Sequence, residues 1–212
     1  MAQALIPDRW FRHRPDSRLL GQTRTLERVL VPLGELDVHI RHYEQMQSLA
    51  ADLRMPIPDF GGLELCAVGG ILLIASERPF TIMQRLTQLS FIVADLDVQL
   101  DLAQGIGAEV LEPEETILPG RRARILYAGD IIAELVEHRP LPSEAPYPVG
   151  NNRSAFSTPI EPRVAVDALH LPAAVDQLTQ VVRPHSASSC PAPPVTSSPQ
   201  HVRLPGLLLT AT

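Results

Sequence analysis

Residues 125–138, ILYAGDIIAELVEH, join two strand-like runs through a Gly-Asp turn and set Glu134 between apolar neighbours. For an acid in such a place, burial alone raises the pKa and a close arginine lowers it. Other side chains with chemical capacity are scattered. His39 and His42 stand at i, i+3, a spacing that supports metal binding, but no third ligand stands near them. Cys66 lies in a strand-like run with no base to pair with, and reads as a small core residue rather than a nucleophile. Arg121, Arg122 and Arg124 follow a Pro-Gly turn and read as a solvated sheet edge, while His138 closes the run of Glu134 as a rim residue.

The chain has 212 residues, 45% of them hydrophobic, enough for one ordinary domain or two small ones. A formal net charge of −6 argues against nucleic-acid binding, which needs lysine and arginine in excess on one face. The Arg-rich leader lacks a continuous apolar run, so neither a secretory signal nor a membrane association is expected. Cys66 and Cys190 sit in unlike surroundings and suggest no disulfide framework, which points to a reducing cytoplasm.

Composition divides the chain into a partly disordered leader (1–24), a folded domain (25–139) and a Pro/Ser-rich tail (140–212). Stretches such as PLPSEAPYPVG and HSASSCPAPPVTSSPQ bury too little apolar surface to offset their ordering entropy, so the tail is expected to be mostly disordered. A short helix over 164–182 is interrupted by Pro172, and the terminal LPGLLLT is too short to span a bilayer.

Within the folded domain the sequence repeats. LERVLVPLGELDVHI (26–40) overlays LTQLSFIVADLDVQL (86–100), and LELCAVGGILLIAS (63–76) overlays RILYAGDIIAELVE (124–137). Period-two patterning marks a strand at the head of each copy, and a helix follows. In the second copy Asp95 is the expected N-cap, and Gly105 and Gly107 supply the stop. Glycine-bearing turns at 60–62, 69–70, 119–120 and 129–130 then split short strands. The class is therefore α+β: two tandem βαβββ modules, 25–80 and 85–139.

This tandem order, with FIVADLDVQL, the helix ending RHYEQM and the run IGAEVLEPEETILPGRRARILYAGDIIAELVEH, resembles the vicinal oxygen chelate superfamily. That superfamily includes glyoxalase I, bleomycin-resistance proteins and extradiol dioxygenases. The resemblance implies that the two modules form a curled mixed sheet around a cleft with helices on its convex face, a cup into which each module's first and last strands send metal ligands, at positions Arg28, Leu73, Gln88 and Glu134. Glu134 and Gln88 offer oxygen; Leu73 has no donor atom and Arg28 is positive, which argues against a divalent metal cofactor. The expectation is a small organic ligand bound in an apolar cleft without the usual metal, with Glu134 as the catalytic candidate paired to Arg28. Arg28, Gln88, Leu73, Ser90 and Tyr127 are the ligand contacts, Tyr127 being open between cleft and core. The alternatives are a divalent-metal lyase or dioxygenase using Glu134 and Gln88, and a drug-sequestering resistance protein without chemistry.

Alternation places Leu30, Ile71, Leu73, Ser90, Ile132 and Val136 on the cleft face with Arg28, Gln88 and Glu134. It places Leu72, Ile74, Leu89, Phe91 and Leu135 beneath the helices. The exposed edge of each half-sheet favours a homodimer over a monomer.

Overall fold

The computed structural model describes residues 16–51, 53–57, 62–117, 120–139, 160–183, 197–198 and 201–212. Alternation in the first copy gives strand β1 (Arg24–Pro32), which enters helix α1 (Leu36–Gln47) through a 3-10 turn. Strands β2 (Leu53–Ile57), β3 (Leu63–Val68) and β4 (Ile71–Ser76) follow, and β4 returns parallel to β1, with Arg28 beside Leu72. A one-turn helix, α2 (Ile82–Leu86), capped by Thr81 and Gln84, leads into the second copy. There β5 (Thr87–Ile92), α3 (Leu96–Gly105), β6 (Glu109–Ile117), β7 (Gly120–Tyr127) and β8 (Ile131–His138) repeat the plan, with Ser90 beside Glu134 in the parallel pair. Asp95 caps α3 as expected, accepting from the Val98 amide.

The modules meet where β1 and β5 pair antiparallel, Leu26 opposite Ser90, which closes an eight-stranded sheet of order β2-β3-β4-β1-β5-β8-β7-β6. Its concave side carries Leu26, Met55, Leu72, Ile74, Ile92 and Val136, all buried. Beneath α1, and against its Ile40, lie Val31, Cys66, Ile71 and Leu73; beneath α3 lie Leu89, Phe91, Ile125, Tyr127 and Leu135. Burial of each such large side chain stabilises the fold by about 1.5–3 kcal/mol. The parity expected for β5 and β8 holds, but that of β4 is inverted: Leu72 and Ile74 face the cup, Ile71 and Leu73 the helix.

A mostly disordered tail is corrected for residues 160–183 and 201–212; 140–159 and most of 184–200 lie outside the described residues. Strand β9 (Arg163–Val166), helix α4 (Leu171–Val181) and strands β10 (Ser197–Ser198), β11 (His201–Leu204) and β12 (Leu207–Ala211) form a third βαβββ module. Its sheet order, β10-β11-β12-β9, repeats β2-β3-β4-β1, and β12 runs parallel to β9 with Leu208 beside Arg163, as Leu72 lies beside Arg28. Pro172 does not break α4. It occupies the first turn, where the missing amide has no partner to lose.

The third module packs on the second rather than standing apart. Leu171, Ala174, Leu178 and Val181 of α4 join Val164, Val166, Val202, Leu207 and Leu209 in the core that holds Phe91 and Tyr127. Gln177 fixes the contact, donating to the Ile106 carbonyl at 2.9 Å and accepting from the Ala128 amide at 2.7 Å. Gly129 is required at this junction: its φ is +77°, and a Cβ there would meet Val166 Cγ1 at 2.5 Å. Among the described residues no helix is long and apolar enough to cross a membrane.

Replacing Leu178, fully buried at this junction, with alanine is expected to cost about 2–5 kcal/mol in urea unfolding. The loss should come in one transition shared with the eight-stranded sheet. A variant of unchanged stability would mean that the third module does not share the core.

Candidate functional site

Glu134 lies near the middle of β8, with Ser90 beside it on β5 and Arg124 opposite it on β7. Arg28 reaches it from β1, two strands away. The reach depends on Ser90, whose small side chain lets the arginine cross β5: Arg28 Nη1 donates to Ser90 Oγ at 3.1 Å and to Glu134 Oε2 at 2.6 Å. The Ser90 hydroxyl in turn donates to Glu134 Oε2 at 3.4 Å. Arg122 Nη1 donates to the other oxygen, Oε1, at 2.9 Å, and Arg124 Nη2 stands 3.6 Å from it. Three guanidiniums thus converge on one carboxylate.

Two of these arginines break the expected pattern. Arg121, Arg122 and Arg124 do not form one solvated edge, because β6 covers β7 and alternation divides them. Arg121 turns to the convex side and binds Asp97, Glu114 and Glu137. Arg122 and Arg124 turn into the cup, where Glu115 and Glu112 of β6 also pair with them. The signal was present in the sequence: counting back through a hairpin closed at 128–130 sets Arg124 across from Glu134.

Other expected contacts lie elsewhere. Leu73 is fully buried beneath α1, on the face opposite the cup. Tyr127 is core: it meets Phe91 edge to face at 6.3 Å, and burial pushes its hydroxyl pKa up. Gln88 falls on an irregularity in β5 between Thr87 and Leu89, is exposed, and accepts from the Ile132 amide at 2.9 Å instead of joining Glu134. His39 stands 3.7 Å from Glu35, and His42 rests edge-on against Tyr43. His138, expected at the rim, is only 4% exposed.

Burial alone would raise the Glu134 pKa, but the field of Arg28, with Arg122 and Arg124 beside it, outweighs burial and brings it down to about 2. So acidic a carboxylate is ionised at neutral pH and accepts a proton poorly. Burial, followed by the charge of Arg24, lowers His138 to about 4, so its ring is neutral at pH 7.

The residues present do not fit the metal that the resemblance implies. Of the four inferred ligand positions only Arg28 and Glu134 meet. A divalent cation at Glu134 would face three guanidiniums, each unit-charge repulsion near 4 Å costing about 4 kcal/mol at an effective dielectric of 20. Among the described residues no group of three or more His, Cys, Asp or Glu side chains is placed to hold a metal ion.

No protein-family model matches the chain, and no curated protein matches it. Solved structures similar to it include an uncharacterized protein from Methanosarcina mazei, 28% identical over 56% of this chain and 94% of that one, with a TM-score of 0.47. Methylmalonyl-CoA epimerase from Mycobacterium tuberculosis is 24% identical over 54% of this chain and 88% of its own, at a TM-score of 0.41. A mutant of 4-hydroxymandelate synthase from Streptomyces coelicolor is 15% identical over 91% of this chain and 63% of its own, at 0.48. The fold assignment rests on topology: two βαβββ modules joined through their first strands into one curled sheet give the chain the glyoxalase-like, vicinal oxygen chelate fold.

Both shifted groups set the acid limb of stability, and both act in one direction. His138 is held neutral in the fold, so its contribution is complete above pH 6.5 and is lost as pH falls toward 4. That of Glu134 is complete above 4.5 and is lost toward pH 2. Urea unfolding across this range should lose about 3 kcal/mol between pH 6.5 and 4. His138→Asn should flatten that limb and leave the steeper fall below it; an unchanged limb would contradict the assignment.

Proposed function

We propose that the chain binds a small organic molecule in the cup of its first two modules, and that the cluster on Glu134 replaces the metal as the polar anchor. The observation that carries this reading is the convergence of Arg28, Arg122 and Arg124 on one buried carboxylate. A carboxylate that served only to neutralise a buried charge would need one arginine; three leave donors for a second acceptor. Glu134 fixes the guanidiniums in place, and the guanidiniums orient the ligand's polar group. Leu26, Leu72, Ile74, Ile92 and Val136 form the buried apolar core on the same side of the sheet, so the polar cluster stands in largely apolar surroundings.

The test is thermal denaturation of the purified chain against a panel of small organic compounds, with and without EDTA. The expected result is a ligand-dependent rise in Tm that EDTA leaves intact and that Glu134→Ala abolishes, scored against the variant's own unliganded Tm. Stoichiometric Mn, Fe, Ni or Zn in the purified protein, with binding lost on chelation, would overturn this reading in favour of a metal-dependent lyase or dioxygenase.

A further inference from the structure

The arginines of the cup differ in how completely they are used. The side chains of Arg28 and Arg124 are each 4% exposed, and in each the buried Nε has no hydrogen-bond partner. A buried charged donor left without an acceptor is costly, so a second acceptor is favoured there. The acceptors on the outer side belong to β6, the last strand of the sheet. Glu112 holds Arg124, and Glu115 holds Arg122 at 2.8 Å. Their carboxyl groups are 37% and 51% exposed.

The strand that carries them is irregular where it does so. The pairing of β6 with β7 shifts register between Val110 and Glu112 and again between Glu112 and Glu115. An edge strand interrupted twice holds few ladder bonds between the interruptions, and its side chains re-aim at low cost. Glu134, by contrast, sits on a central strand, locked by neighbours on both sides.

We propose that the ligand's polar group is a carboxylate, and that Glu112, with Glu115 beside it, occupies the ligand's place on the arginines until the ligand arrives. This rests on the reading of the cup as a ligand site and names the ligand class. An organic carboxylate replaces the Glu112 carboxylate on Arg124, and Glu112 turns outward to water. One charge-assisted contact is exchanged for another, so charge at the floor is conserved and no proton moves. A neutral amide makes the exchange less well, because it would leave Arg124 with only the Glu134 carboxylate, 3.6 Å away, as counter-charge.

The experiment titrates the full chain with phenylacetate and hexanoate, each against its neutral amide, by NMR, in wild type, Glu112→Gln and Arg124→Gln. Wild type should prefer each acid by on the order of tenfold, with added salt weakening only the acids. Glu112→Gln removes the internal competitor and should tighten acid binding about threefold to tenfold. Arg124→Gln should bring the acids to the level of the amides. Should Arg124→Gln fail to fold, Glu112→Gln decides alone, since its side chain is partly exposed. Acid binding that is weakened or unchanged in Glu112→Gln overturns the proposal. Equal binding of acids and amides overturns the proposal and leaves the cup reading standing, whereas no binding of either overturns both.

Discussion

The ion pair between Arg28 of β1 and Glu134 of β8 is the constraint on which the cup depends. It crosses the seam between the two modules, so the first strand of one copy is tied to the last strand of the other through the Ser90 hydroxyl. A buried carboxylate carries a desolvation penalty of several kcal/mol, and only well-placed countercharges repay it. Here Arg122 and Arg124 add to Arg28, and Glu115 and Glu112 pair with them in turn, so three guanidiniums meet three carboxylates.

Much of this was legible in the chain. Period-two patterning and the repeat located both modules, and the pairing of Arg28 with Glu134 followed from the family resemblance carried onto the repeat. The errors have local causes. The β3 to β4 hairpin turns through Gly69 and Gly70, pairing Val68 with Ile71, whereas the β7 to β8 hairpin turns through three residues, pairing Tyr127 with Ile131. No single offset aligns the strands on both sides of turns of unequal length. Ile74, not Leu73, is therefore the counterpart of Glu134, and a slip of one residue moved Leu73 to the wrong face. Gln88 was displaced by a strand irregularity that no periodicity reveals.

The third module was hidden for a different reason. Val164 and Val166, Val202 and Leu204, and Leu207 and Leu209 alternate correctly, but in strands of five residues or fewer separated by Pro/Ser-rich sequence. Such strands gain little stability by themselves. Their order comes from packing on α4 and on the core around Phe91, a tertiary contribution invisible to local composition. The same packing explains why Tyr127 is structural: its side of the sheet faces the third module, while Glu134, on the opposite face of the neighbouring strand, faces the cup.

The central claim is that Arg28 and Glu134 act as one coupled unit across the module seam, and a double-mutant cycle with Arg28→Gln and Glu134→Gln in urea unfolding tests it most directly. Glu134→Gln should lose about 3–5 kcal/mol by leaving Arg28 buried without its carboxylate, and Arg28→Gln less, because Arg122 and Arg124 still face Glu134. The double variant should lose at least about 2 kcal/mol less than the sum of the two. Additive losses, agreeing to within about 0.5 kcal/mol, would show that the two side chains act independently and would contradict the account.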